Sequence, residues 1–421
     1  MKKTLLSLGV AAGLFAGSAF AVEGTVPQGV KNFDHVFLIV MENHGYSQII
    51  NNPNAPFINS LAIQGNLATN YFAIAHPSLT NYLEIVGGSN FGVLSDNDSD
   101  WHNAACVTNL ASGISNTDAY SNGAPICPIS GFGVDAATPA VDSVNETTPS
   151  LGINAVNNID GHISLPALQN VSGKTIADQL VAAGKSWKSY QESIPATGVD
   201  GVNYSDGNYS NLTNFSTLKP APLANENNGS VVKLYAAKHN PFVYFANIQE
   251  GYDPELSLKQ TVGFDGINGL YADLASGQAP NFSFIAPNQC NDQHGRGNNG
   301  PFCNYDPGQD GKQASLNPAL IQLGDNAVNK IVTSIKLSPV WKSGNNAIVV
   351  VWDENDYSGV PNTNQVVAIV ETSKGRSGVK SNQLYSHFSL LKTLEGAFGL
   401  PCLNYACNPA VNVMSDLFTA Q

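Results

Sequence analysis

Two unbroken apolar runs restrict most strongly what this chain can fold into. His35-Val36-Phe37-Leu38-Ile39-Val40-Met41 and Ala347-Ile348-Val349-Val350-Val351-Trp352 have strand length, are rich in β-branched residues and lack polar alternation. A strand with one wet face alternates, whereas a strand covered on both faces does not. Each run therefore needs a helical layer above it and another below. Each also stops in polar residues, Glu42-Asn43-His44-Gly45 after the first and Asp353-Glu354-Asn355-Asp356 after the second. In open α/β sheets, groups just past the carboxyl ends of parallel strands line the site.

The rest of the chain fits that frame. Residues 186–190, 242–245, 282–286 and 365–371 read as further strands, and 66–74 as a short one leading into a turn. Residues 57–65, 174–184, 317–337 and 389–397 have helical spacing, and 231–238 reads as a short helix. Strands alternating with helices predict an α/β fold, a three-layer α/β/α sandwich with a mainly parallel sheet. No repeat and no linker divides 22–421, which reads as a single domain. Residues 90–170 and 200–228 have poor patterning and read as long loop insertions.

The stretch from His76 to Gly88 adds chemistry. A polar head, His76-Pro77-Ser78-Leu79-Thr80-Asn81, runs into apolar residues at helical spacing and halts at Gly87-Gly88. Ser78 thus stands at a helix N-terminus, where free N–H groups and the helix dipole favour an anion. A phosphate held there has a hydroxyl beside it. The plainer reading is a helix cap, and the functional one gains weight from the polar clusters elsewhere.

Charge narrows the partners. Lys and Arg total 19 against 32 Asp and Glu, a formal net charge of −13 with no basic run. That balance argues against nucleic acid and against tight docking on anionic membranes. Residues 1–21 look like a bacterial Sec-type signal peptide, with Lys2-Lys3, an apolar stretch and Ala19-Phe20-Ala21, too short to span a bilayer. Export to the periplasm or beyond follows, and no later stretch is long and apolar enough to span. The even set of cysteines suits an oxidising compartment. Local pairing is the simplest: Cys106 with Cys127, Cys290 with Cys303, and Cys402 with Cys407.

Polar clusters recur at the predicted strand and helix ends: Glu42-Asn43, Ser78 with Asn81, Asp292 with His294, Asp353-Glu354, and His387 before the last helix. Carboxylate, amide and imidazole donors suit a divalent cation such as zinc, manganese or magnesium. Such an ion beside a hydroxyl lowers its pKa and neutralises a phosphoryl oxygen. One cluster alone is an ordinary solvated turn; several at one sheet edge are not.

Phe33-Asp34-His35 through Glu42-Asn43-His44, the His76-to-Gly88 stretch, Pro287 to His294, Val351-Trp352-Asp353-Glu354 and Ser386-His387-Phe388-Ser389-Leu390-Leu391-Lys392-Thr393 resemble the bacterial and fungal phosphoesterase family. That family includes secreted phospholipases C and acid phosphatases and belongs to the alkaline phosphatase superfamily. The resemblance implies an alkaline phosphatase-like fold and a role for each matched residue. Glu42, Asn43, Asp353 and Glu354 would hold a catalytic metal, zinc first. Ser78 would be the nucleophile that forms a phospho-enzyme, with Asn81 on a phosphoryl oxygen. Asp292, His294 and His387 would form a second metal site or touch the phosphate directly, and His76 would support a ligand or donate a proton. Thr80 stands where many relatives have proline and is a rival nucleophile. The expected activity is that of a secreted phospholipase C on phosphatidylcholine-like lipids, the alternative an acid phosphatase on small phosphomonoesters. A non-catalytic binding protein on the same scaffold is the reading from another class. Trp101, Phe132, Tyr204 and Tyr209 would form a rim for transient membrane-surface contact.

Overall fold

Both apolar runs are strands, and they pair with each other. The computed structural model describes residues 23–91, 129–130, 171–194, 234–295, 303–308, 310–356 and 364–418. The expected signal peptide, Cys106, Cys127 and the aromatics Trp101, Phe132, Tyr204 and Tyr209 lie outside the described residues, as does most of both loop insertions. In chain order the elements that build the site are β1 (His35–Met41), α1 (Pro56–Gln64), β2 (Asn66–Ala68), α2 (Ser78–Gly87), α3 (Ile176–Ala182), β3 (Trp187–Gln191) and β4 (Thr261–Val262). After them come α4 (Leu270–Ser276), β5 (Phe282–Ala286), α5 (Pro318–Leu337), β6 (Asn346–Trp352), β7 (Ala368–Thr372), β8 (Lys380–Ser381) and α6 (His387–Phe398).

The eight strands form one sheet in the order β8-β2-β7-β6-β1-β5-β3-β4. Among them β7 alone opposes its neighbours; the other pairs are parallel. β5 and β6 are buried throughout and β1 is buried from its second residue on, as unbroken apolar runs require. Helix α2 packs on α6 and α3, while α1 packs on α5, which touches α4. The expected three-layer sandwich with a mainly parallel sheet is therefore what forms. One apolar core runs through it from Phe33 to Phe418.

The register of β1 on β6 positions the site. His35 lies opposite Asn346 and Met41 opposite Trp352, without a slip. Glu42 and Asp353 thus leave the sheet side by side. Helix α2 is buried along all of Ser78–Gly87. Its end needs glycine, because Gly88 has φ +69° and a Cβ there would meet the Leu403 carbonyl at 2.5 Å.

Several local expectations change. Residues 242–245 are buried as predicted but are not a strand: Pro241–Tyr244 is a 3-10 turn. Periodicity cannot separate a short buried strand from a tight helical turn, and Pro241 brings a fixed φ and no N–H to the first position. The helix expected over 231–238 is, among its described residues, part of a single 3-10 turn, Ala237–His239. Residues 66–74 split into β2 and Tyr71–Phe72, which pairs with Tyr385–Ser386 outside the main sheet. Two expected disulfides, Cys290–Cys303 and Cys402–Cys407, are present.

Gly324 couples α5 to the turn after β5. A Cβ there would sit 2.2 Å from Gln293 Cγ. Gln293 donates to the Ile321 carbonyl at 3.0 Å and accepts from Trp352 Nε1 at 3.0 Å. Alanine in a helix interior ordinarily gains about 1 kcal/mol over glycine. Gly324→Ala should instead lose about 1 kcal/mol or more through overpacking, read as a lower denaturant midpoint; a gain would show that Gln293 moves aside freely.

Candidate active site

Three strand ends are tied together by backbone. Glu42 N donates to the Asp292 carbonyl at 2.8 Å and Asp353 N to the Met41 carbonyl at 2.9 Å. Asn43, in the left-handed region at φ +55°, donates its N–H to Asp353 Oδ1 at 3.1 Å. Asparagine tolerates that conformation better than most residues, so the turn brings two ligand-type side chains back over the edge of the sheet.

Helix α2 brings Ser78 to the same place as its first residue, after Pro77. Ser78 Oγ lies 3.1 Å from Glu42 Oε2 and 3.1 Å from Glu354 Oε1. His76 Nδ1 is 2.7 Å from Glu354 Oε2. Asn81, expected on a phosphoryl oxygen, is engaged within the protein instead. Its Oδ1 accepts from the N–H groups of Ile74 and Ala75, and its Nδ2 donates to the Ala75 carbonyl and to Glu354 Oε2. It shapes the turn ahead of Ser78 and steadies Glu354. Thr80 is buried on α2 and belongs to neither group of metal-type donors among the described residues.

His239 was not anticipated. It comes from the 3-10 turn at Ala237–His239 and stacks on Tyr82 of α2, rings 5.4 Å apart and 9° from parallel. Its Nε2 is 3.1 Å from Glu42 Oε1 and its Nδ1 3.1 Å from Asp292 Oδ2. The signal available was one of eight histidines placed directly ahead of a buried apolar run. His294, which was anticipated, donates Nδ1–H to the Gly295 carbonyl at 2.8 Å, which leaves the Nε2 lone pair facing Lys238 Nζ at 3.3 Å. A tautomer set in this way is what a ligating imidazole needs.

His387 stands apart from the other expected site residues. Its Nε2 donates to the Asp353 carbonyl at 2.5 Å and its Nδ1 accepts from the Tyr71 hydroxyl at 3.0 Å. Both nitrogens are occupied by protein groups, and burial pulls its pKa down to about 4, so it is neutral. It braces the end of β6 and belongs to neither group of metal-type donors among the described residues. His44 braces the end of β1, donating to the Glu42 carbonyl at 3.0 Å and to Asp306 Oδ2 at 2.7 Å. Burial opposes its charge, but the Asp306 carboxylate outweighs burial and raises its pKa.

Among the described residues, two groups of side chains offer donor atoms within 4.8 Å of one another: Glu42, Asp353 and Glu354, and Glu42, His239 and His294. Glu42, Asp292, Asp353 and Glu354 are each at most 2% exposed. Burial, then Glu42 and Glu354, raise the Asp353 pKa well above the usual range; burial, then Glu42, does the same for Asp292. Burial, then Lys238 and His294, hold His239 neutral. One imidazole proton cannot serve two flanking carboxylates, nor one hydroxyl proton both Glu42 and Glu354. Asp353 Oδ2 and Asn43 Oδ1 are buried without a hydrogen-bond partner among the described residues. A divalent cation answers each of these conflicts, so the donor set fits one.

Known proteins similar to this chain are phosphoesterases. A sequence model of the Phosphoesterase family matches residues 48–301. A phosphatidylinositol-3-phosphatase of Mycobacterium tuberculosis is 26% identical over 98% of this chain and 95% of its own length. A phosphate-repressible acid phosphatase of Penicillium chrysogenum is 24% identical over 88% of this chain, which spans 60% of that relative. A solved protein in the alkaline phosphatase superfamily from Vibrio parahaemolyticus aligns with 91% of this chain and 70% of its own at 14% identity and a TM-score of 0.42.

Cation binding should be visible in stability without any substrate. Raised carboxyl pKa values favour the folded state when protonated, so that contribution is lost as pH rises above the ordinary value of 3.8. The chelated protein should therefore lose stability as pH climbs through and beyond that value. Zinc at about 100 times its dissociation constant should restore ~2.7 kcal/mol and flatten the slope. Thermal melts of wild type and Glu42→Gln, with and without zinc, check this; an equal shift in the variant would remove Glu42 from the site.

Proposed function

The chain belongs to the Phosphoesterase family and is a phosphoric ester hydrolase, and on that premise we propose that it is an exported, metal-dependent phosphatase acting on phosphomonoesters through Ser78. The observation that carries this reading is the Ser78 hydroxyl, held at the first position of a buried helix against Glu42 and Glu354, 3.1 Å from each. Glu42, Asn43, Asp353 and Glu354 would hold one cation, zinc before manganese or magnesium, and Asp292, His239 and His294 offer donors for a second. When bound, the cation acidifies the hydroxyl and neutralises charge on a phosphoryl oxygen.

The chain's own groups do the rest. Glu42 and Glu354 fix the direction of Ser78 Oγ, and His76 and Asn81 fix Glu354 in turn. Oγ gives up its proton to a flanking carboxylate and attacks phosphorus in line; the P–O bond to the alcohol breaks, the alcohol leaves after taking a proton, and water then cleaves the phosphoserine, releasing phosphate and restoring the Ser78 hydroxyl. The N-terminus of α2 faces the oxygens that carry the charge. Lys238 adds a cation next to His294.

The choice of a monoester over a lipid diester rests on charge and on the relatives. A phosphomonoester approaches two negative charges at neutral pH and a phosphodiester carries one, so a site with a divalent cation, a helix N-terminus and Lys238 gains more from the monoester. Both relatives above carry phosphatase names. The phospholipase C reading lacks comparable support, and a non-catalytic role leaves the converging donors unexplained. Export is supported by the two disulfides and by the leader expected at 1–21.

Zinc-loaded protein should hydrolyse an aryl phosphomonoester faster than it releases diacylglycerol from phosphatidylcholine vesicles. Ser78→Ala should lose about 10³-fold or more in kcat, while Thr80→Ala stays within about tenfold. Faster diacylglycerol release would restore the phospholipase reading, and a Thr80→Ala loss larger than that of Ser78→Ala would move the nucleophile.

A further inference from the structure

We propose that Tyr305 forms one wall of the leaving-group pocket and selects esters of aromatic or ring-shaped alcohols over those of short aliphatic ones. This rests on the phosphatase reading and names its substrate class.

The position comes first. Ser78, Glu42, His239, Asp292, Asp353 and Glu354 are all buried, whereas His294 is partly exposed. His294 thus marks a side on which the described part of the site meets solvent. Tyr305 stands there, 50% exposed, with ring centres 5.9 Å apart and its plane 69° from that of His294. Glu42 separates the two halves: its Oε2 meets Ser78 and its Oε1 meets His239. An alcohol expelled in line departs away from the attacking Oγ and needs a solvent-facing side to occupy; among the described residues of the site, His294 with Tyr305 provides one.

An exposed tyrosine ordinarily needs no explanation, but this one is held from both sides. Two residues before it, Cys303 is bonded to Cys290. Directly after it, Asp306 receives hydrogen bonds from His44 Nε2 at 2.7 Å and Asn317 N at 2.6 Å. The Asn304 carbonyl accepts from Asn317 Nδ2 at 2.9 Å. Gly295, next to His294, lets the segment lie close, since a Cβ there would be 3.2 Å from both Tyr305 Cα and the Asn304 carbonyl. Four attachments therefore present an aromatic ring to solvent beside the site at little further cost in chain entropy. A rigid, amphipathic ring is well suited to stacking on a planar or ring-shaped group.

The test compares wild type, Tyr305→Ala and Tyr305→Phe, all zinc-loaded. Turnover is measured on phenyl phosphate and ethyl phosphate, and calorimetry follows phenylphosphonate and methylphosphonate, which cannot be hydrolysed. Tyr305→Ala should raise KM for phenyl phosphate and Kd for phenylphosphonate about tenfold, with kcat and both aliphatic ligands nearly unchanged. Tyr305→Phe should stay within about twofold of wild type, because the ring face and not the hydroxyl acts. Equal losses on aromatic and aliphatic ligands, or no loss on either, would overturn the proposal. If wild type turns over neither ester but the phosphonate difference persists, the phosphatase reading falls while the Tyr305 subsite stands.

Discussion

Four buried carboxylates, three of them within reach of one another and the fourth, Asp292, acting on Glu42, are the constraint on which the rest of the structure depends. Ionised and dry, Glu42, Asp292, Asp353 and Glu354 repel, and each has left water behind. A soft scaffold would relieve that repulsion by opening. This one cannot, because each carboxylate leaves an element whose position is set elsewhere. Glu42 and Asp353 follow strands paired without a slip over seven positions. The Asp292 carbonyl is bonded to Glu42 N. Glu354 is held by His76 and by Asn81, itself on a helix with no exposed face. Apolar burial in the sheet and in α2 thus maintains a crowded set of carboxylates that protonation or a bound divalent cation would relieve.

Neutral imidazoles and amides take up much of the remaining strain. His387 joins the end of β6 to Tyr71, and Asn81 satisfies the turn before Ser78. Neither adds charge where charge is already in excess. His44 differs: it is paired with Asp306, so its charge is matched locally and adds a clamp on the Glu42 carbonyl.

The sequence was most legible where geometry repeats. Unbroken apolar runs revealed β1 and β6, and with them the places where Glu42 and Asp353 emerge. Pro77 and the double glycine bracketed α2 and so put Ser78 at its start. Legibility failed where the backbone has no period. Residues 242–245 are apolar and buried whether strand or turn, and calling them a strand hid His239 in the turn just before. His387 shows another limit: residue type and position show that a histidine lies near the site, but not which groups its two nitrogens meet. Tyr305 carries no pattern at all; its importance appears only once Cys303 and Asp306 are seen to hold it.

The same division explains why reaction and substrate differ in how easily they are inferred. The half of the site proposed to handle phosphate comes from strand ends and a helix start, elements with a strong sequence signature in this chain. The side on which the proposed alcohol pocket lies comes from the 303–306 segment, irregular backbone fixed by a disulfide and side-chain hydrogen bonds. Irregular segments can change in length and composition without disturbing the sheet. A scaffold built in this way keeps its chemistry while its leaving-group preference varies, so specificity should follow the residues that clamp the irregular half and not those that bind the cation.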